Sequence, residues 1–139
     1  MRRVVCDVGV VISGLLSAEG PPGRLLDRWR DGVFDLIVSP LWLAELARVL
    51  VRPKIARNLE PGDAEELLAA IRLQAEPVDD PPAQTGLTPD PGDDYLVSLA
   101  RAAGADFLVS GDAHLTGLPD AEPPVLTPRQ FDELLGPAN

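Results

Sequence analysis

Short apolar runs and longer amphipathic stretches take turns along this chain, a rhythm that predicts strands alternating with helices. Val4-Val5-Cys6 is the first apolar run; closed by Asp7 and Gly9, it reads as a central strand whose end opens into a loop. Val10 to Leu16 stays apolar and predicts a short helix packed on the sheet. Pro21-Pro22-Gly23 starts a second helix, with Leu25, Leu26 and Trp29 on one side and Arg24, Asp27, Arg28 and Asp31 elsewhere. Phe34 to Val38 is a strand. Ser39-Pro40 joins an N-cap to a proline at the first helical position, and the helix continues through Leu41, Leu43, Leu46, Val49 and Leu50 until Pro53.

Pro61-Gly62-Asp63 begins a further helix carrying Leu67, Leu68, Ile71 and Leu73. Glu76-Pro77-Val78 is a short edge strand, and residues 79 to 89 form a polar, proline-bearing loop. Asp94 opens an apolar helix (Tyr95, Leu96, Leu99, Ala100, Ala103) that stops at Gly104, and Asp106 to Ser110 reads as a buried strand. After a connector from Thr116 to Pro123, a strand at Val125-Leu126 leads to a helix capped by Thr127-Pro128 and reaching Leu135. This order predicts an α/β fold with a mainly parallel sheet, and 139 residues suit one domain spanning 1–139.

The pattern also brings distant acids together. Asp94 and Asp112 are 18 residues apart. About ten helical residues carry the chain roughly 15 Å away from Asp94, and a strand of about five returns it by roughly 16 Å. Asp112, after the turn at Gly111, then emerges beside Asp94 at the carboxyl edge, where open α/β sheets keep their sites. Asp7 ends the neighbouring first strand. Glu45 lies in the second turn of its helix among Leu41, Leu43, Ala44, Leu46 and Ala47, where an unpaired buried carboxylate is costly; a metal or Arg48 one turn later relieves it. Asp90 and Asp93 are further outer ligands or helix caps, and Ser110 is placed to bond a metal ligand or a phosphate.

Charge narrows the chemistry. With 22 acidic and 12 basic residues the net charge is −10, which excludes nucleic-acid binding through a broad cationic surface and makes any such contact local. Clustered carboxylates without matching cations call for Mg²⁺ or Mn²⁺, both of which take oxygen ligands, and point to metal-dependent phosphodiester hydrolysis. The lone Cys6 forms no internal bridge, no Cys/His cluster supports zinc, and no phosphate-loop or dinucleotide fingerprint is present. His114, the one histidine, has no nucleophile in a recognisable setting beside it. The apolar start is too short for a signal peptide, so the expected location is cytoplasmic with no membrane partner. The apolar breadth of the 41–50 helix, Trp42 included, predicts a face covered by another chain.

Asp7-Val8-Gly9-Val10, Ser39-Pro40 with Glu45, Asp90-Pro91-Gly92-Asp93-Asp94, and Leu108-Val109-Ser110-Gly111-Asp112 together resemble the PIN-domain family, and more narrowly its VapC-like toxins of prokaryotic toxin-antitoxin pairs. The resemblance implies a three-layer α/β/α sandwich, Mg²⁺- or Mn²⁺-dependent RNA cleavage, frequent dimerisation and inhibition by a cognate antitoxin protein. Carried over by position, Asp7, Glu45, Asp94 and Asp112 are its acidic quartet. This chain departs where the family commonly has Asp-Thr-Asn, with Val8 and Gly9 in the last two places, and Gly92 replaces the usual Asp after Asp-Pro. The alternative role is a PIN-fold protein whose weakened site leaves it mainly a protein-binding partner.

Overall fold

A computed structural model describes residues 1–137. Five strands form one sheet in the order β3-β2-β1-β4-β5, every pair parallel. β1 (Arg3–Cys6) lies at its centre, between β2 (Asp35–Val38) and β4 (Phe107–Val109), with β3 (Glu76–Pro77) and β5 (Val125–Leu126) at the edges. Helices connect the strands: α1 (Val8–Leu16) and α2 (Pro21–Arg30), then α3 (Pro40–Leu50), α4 (Pro53–Ala56) and α5 (Asp63–Gln74), then α6 (Pro91–Ala102), α7 (Ala113–Thr116) and α8 (Pro128–Leu135). This is a three-layer α/β/α sandwich, the arrangement that parallel crossovers impose.

Burial follows from that topology. Val4 and Val5 in β1, Ile37 in β2 and Leu108 and Val109 in β4 are fully buried. Registers Val5↔Leu108 and Cys6↔Val109 bring the ends of β1 and β4 level. The chain fills one side of β1 with β2 and β3 and then crosses to the other with β4, so the sheet's switch point falls between β1 and β4.

Proline-headed helices begin where an X-Pro pair supplies cap and first turn. The Ser39 hydroxyl accepts from the Trp42 amide, and Thr127 forms a reciprocal capping box with Gln130. Gly23 sits inside α2, where glycine costs about 0.5–1 kcal/mol relative to alanine. It is there for space: a Cβ at that position would lie 2.3 Å from the Ala18 carbonyl oxygen.

Two expectations need correction. The apolar face of the 41–50 helix, expected to lie at the surface, is turned into this chain's own core: Trp42 is 1 % exposed and its indole N–H donates to the Cys6 carbonyl at 2.7 Å. Of the large apolar side chains in this helix, Leu41 is the one left exposed, at 56 %. The helix assigned to start at Asp94 starts at Pro91, capped by Asp90, whose carboxylate accepts from the Gly92 amide at 2.9 Å. The one-turn helices α4 and α7 carry no periodic signal and lie in segments assigned to no helix.

Candidate metal centre at the carboxyl edge

Asp7 leaves β1 and caps α1. Its Oδ1 accepts from the Gly9 amide at 3.1 Å and its Oδ2 from the Ser110 hydroxyl at 3.0 Å. Ser110, fully buried at the end of β4, also accepts from the Asp112 amide at 3.0 Å. One hydroxyl therefore ties the ends of the two central strands and fixes Asp7 relative to Asp112. Asp112 in turn caps α7, accepting from the His114 amide at 2.8 Å.

The two acids of the α6 first turn part company. Asp94, 2 % exposed, accepts from the amides of Gly86 at 3.1 Å and Thr88 at 2.6 Å, so its charge is spent on the preceding loop. Asp93, 8 % exposed, has an Oδ2 that is buried without a hydrogen-bond partner. Burial, followed by the fields of Asp112, Asp90 and Asp7, pushes its carboxyl up to about 6, with His114 opposing. The acid grouped with Asp7 and Asp112 is thus Asp93, and Asp94, expected in that role, faces the loop instead. Asp90 contributes its field to Asp93 while its side chain caps the helix.

Glu45 lies in the wall of a cavity of about 700 Å³ that also includes Asp7 and Asp93. Its surroundings differ from the buried, apolar ones expected. The side chain is 47 % exposed, and Arg48 donates to both its oxygens, Nη2 to Oε1 at 2.6 Å and Nε to Oε2 at 3.0 Å. Ion pairs this exposed contribute little to stability, so this one is easily exchanged.

The donor set consists of carboxylate oxygens and a hydroxyl. Burial pushes the only thiol, Cys6, up to about 12, so no thiolate competes. These are donors for a hard divalent cation, and a positive charge at the orphaned Asp93 oxygen would offset the fields of Asp112, Asp90 and Asp7. Among the described residues, no three or more His, Cys, Asp or Glu side chains converge tightly enough to form a ready-made coordination shell.

Tyr95, on the cavity wall, was not singled out from the sequence. The Trp42 amide donates to Ser39, whose hydroxyl bonds the Tyr95 oxygen, and Tyr95 donates to Asp80 at 2.6 Å. Asp80 also accepts from the Leu41 amide. This chain of bonds pins the loop after β3 to the start of α3; only the N-cap Ser39 was legible beforehand.

An acid-edged parallel sheet with its carboxylates at the switch point defines a class of α/β proteins suited to metal-assisted phosphate chemistry. A family model for the PIN domain matches residues 3–114, and the chain belongs to that family. PIN domains are generally metal-dependent nucleases. The chain is 26 % identical over 120 residues to an uncharacterized protein of Methanocaldococcus jannaschii, MJ1680, covering 85 % of this chain and 76 % of that one. The fold is similar to the crystal structure of PAE2754 from Pyrobaculum aerophilum, with a TM-score of 0.59 at 15 % identity, covering 96 % of this chain and 89 % of that one. No described helix is long and apolar enough to cross a membrane.

Proposed function

We propose that this protein is a Mg²⁺- or Mn²⁺-dependent endoribonuclease acting as the toxin of a toxin-antitoxin pair. The observation that carries the reading is the buried, unpartnered Asp93 oxygen set beside Asp7 and Asp112. Asp7, Asp93 and Asp112 hold the cation, and Glu45 joins them once a phosphate takes over Arg48. A bound divalent ion there supplies water activation and charge neutralisation at phosphorus. Ser110 holds Asp7 and the strand ends in register, and Asp94 fixes the loop behind Asp93. A basic segment of an antitoxin, laid into the acidic end, would block the site by charge complementarity.

The test is cleavage of 5′-labelled single-stranded RNAs by purified protein with Mn²⁺ or Mg²⁺, beside EDTA and an Asp7→Asn control. Metal-dependent products absent from the control are expected. Cleavage that survives both EDTA and the substitution would overturn the assignment. For the toxin role, induction of the wild-type chain should arrest growth of a host culture and induction of Asp7→Asn should not. A second reading, a weakened enzyme that mainly binds a protein partner, draws on Gly9, which brings only a backbone N–H to Asp7.

A further inference from the structure

We infer that Arg48 is an internal lock on the metal centre: its guanidinium holds both oxygens of Glu45, so a divalent cation gains that acid only in competition with a cation of the chain's own. The inference rests on the nuclease reading and concerns the regulation of that same site, with one residue's grip setting its metal affinity. The acids of the site are not held alike. Asp7 accepts from the Gly9 amide and the Ser110 hydroxyl, and Asp112 accepts from the His114 amide. These uncharged donors orient a carboxylate and leave its charge in place. Asp93 has an Oδ2 with no donor. Glu45, by contrast, is met by a permanent cation: Arg48 donates from Nη2 to Oε1 at 2.6 Å and from Nε to Oε2 at 3.0 Å, the fork that matches a carboxylate with two parallel bonds.

Position and exposure make this pair a lock rather than a structural tie. Glu45 and Arg48 stand one turn apart on α3, and both line the cavity that contains Asp7 and Asp93. Their bond joins α3 to itself and fastens no second element. With side chains 47 and 58 % exposed, the pair is screened by water and opens at little cost. A dication and a guanidinium exclude each other from the same two oxygens. Anything that draws Arg48 away therefore strengthens metal binding at Glu45, and metal binding releases Arg48 by the same factor.

The experiment is isothermal titration of Mn²⁺ into the full-length protein at low salt and without RNA. Wild type is compared with Arg48→Gln, Arg48→Lys, Arg52→Gln, Glu45→Gln and the Glu45→Gln/Arg48→Gln double variant. Arg52 lines the same cavity and, among the described residues, is in no ion pair, so its loss removes the same charge without freeing Glu45. Arg48→Gln is expected to tighten Mn²⁺ binding about twofold to fivefold, the modest hold of an exposed pair, and by more than Arg52→Gln. Arg48→Lys should tighten it by less, yet measurably with the charge kept, because an ammonium lacks the fork that spans both oxygens. In the Glu45→Gln background the Arg48→Gln gain should shrink to that of Arg52→Gln. Equal gains from Arg48→Gln and Arg52→Gln, or a full Arg48→Gln gain without Glu45, would overturn the lock, since loss of charge alone would then explain the effect. Cleavage, scored separately with Asp7→Asn, reports on the nuclease reading: a Glu45-dependent Arg48 effect on Mn²⁺ without any cleavage would sink that reading and leave the lock standing.

Discussion

Asp93 and Asp94 are neighbours in the first turn of α6, yet they serve two different regions. About 100° of helix rotation separates them. Asp94 turns to the loop and has two amides within hydrogen-bonding distance; Asp93 turns to the sheet edge, where its Oδ2 has no donor and the fields of Asp112, Asp90 and Asp7 oppose its charge. The loop side is a satisfied structural region, whereas the sheet side stores repulsion that only a cation or a proton relieves. The sharpest way to break this comparison is to neutralise each acid in turn. Asp93→Asn should lower RNA cleavage by at least about 100-fold, since even outer-shell partners of metal sites typically cost 10–100-fold. Asp94→Asn should retain most activity but lose about 0.5–1.5 kcal/mol of stability in urea unfolding, because one part-buried amide loses its acceptor and the other its charged partner. The reverse assignment of effects would return Asp94 to the metal site.

The next largest effect concerns what holds the sheet side together. Ser110→Ala removes the hydroxyl that joins Asp7 to the Asp112 amide. It should reduce Mn²⁺ affinity by about 10–100-fold, as loss of an orienting partner does, and isothermal titration reads it directly. Tyr95→Phe is the matched change on the loop side, cutting the bond to Asp80. It should leave Mn²⁺ affinity unaltered and cost about 0.5–1.5 kcal/mol.

The repulsion at Asp93 also has a pH signature. Its carboxyl is raised to about 6 in the folded protein, above an unfolded value of about 3.9. Between those values the folded state keeps a proton that the unfolded state has released, so stability falls as pH rises from about 4 and the loss is complete above about 6. A divalent cation replaces that proton. Thermal unfolding without metal should therefore show a lower Tm at pH 7.5 than at pH 4.5 from this group, and Mn²⁺ should raise Tm more at the higher pH. Asp93→Asn should flatten both dependences; a metal effect equal at both pH values would separate Asp93 from the cation.

These two regions were unequally legible in the sequence. The strands were readable because β1, β2 and β4 are buried runs, and the fold class followed from their alternation with helices. Ser39-Pro40 and Thr127-Pro128 were read as a cap followed by a first helical residue. Asp90-Pro91 has the same grammar and places Asp93 and Asp94 at the third and fourth helical positions, on different faces. Starting the helix at Asp94 concealed that. Glu45 was misjudged for a related reason. Trp42, Leu46 and Leu50 form the inward stripe of α3, and Leu41, Glu45 and Arg48 form an outward one, but the apolar character of Leu41 and Leu43 blurs the boundary. The bonds from Asp94 to Gly86 and Thr88 and from Tyr95 to Asp80 depend on how an irregular loop folds back, for which no periodicity exists.

The smallest expected effect tests whether the sheet side is fully equipped. Gly9 offers Asp7 one backbone N–H at 3.1 Å, where the family commonly places an Asn. A Cβ on Gly9 would sit 3.7 Å from Asp7 Oδ1, an ordinary contact, and the residue has no left-handed backbone that only glycine tolerates. Gly9→Asn therefore fits without strain and adds a carboxamide donor beside the acid. Because the backbone already supplies part of the orientation, the gain should fall at or below the low end of outer-shell effects, about threefold to tenfold in kcat/KM for RNA cleavage with Mn²⁺. A gain of that size with little change in Tm would mark Gly9 as the residue limiting this site. No gain would mean that Ser110 and the Gly9 amide already orient Asp7 as far as its role requires.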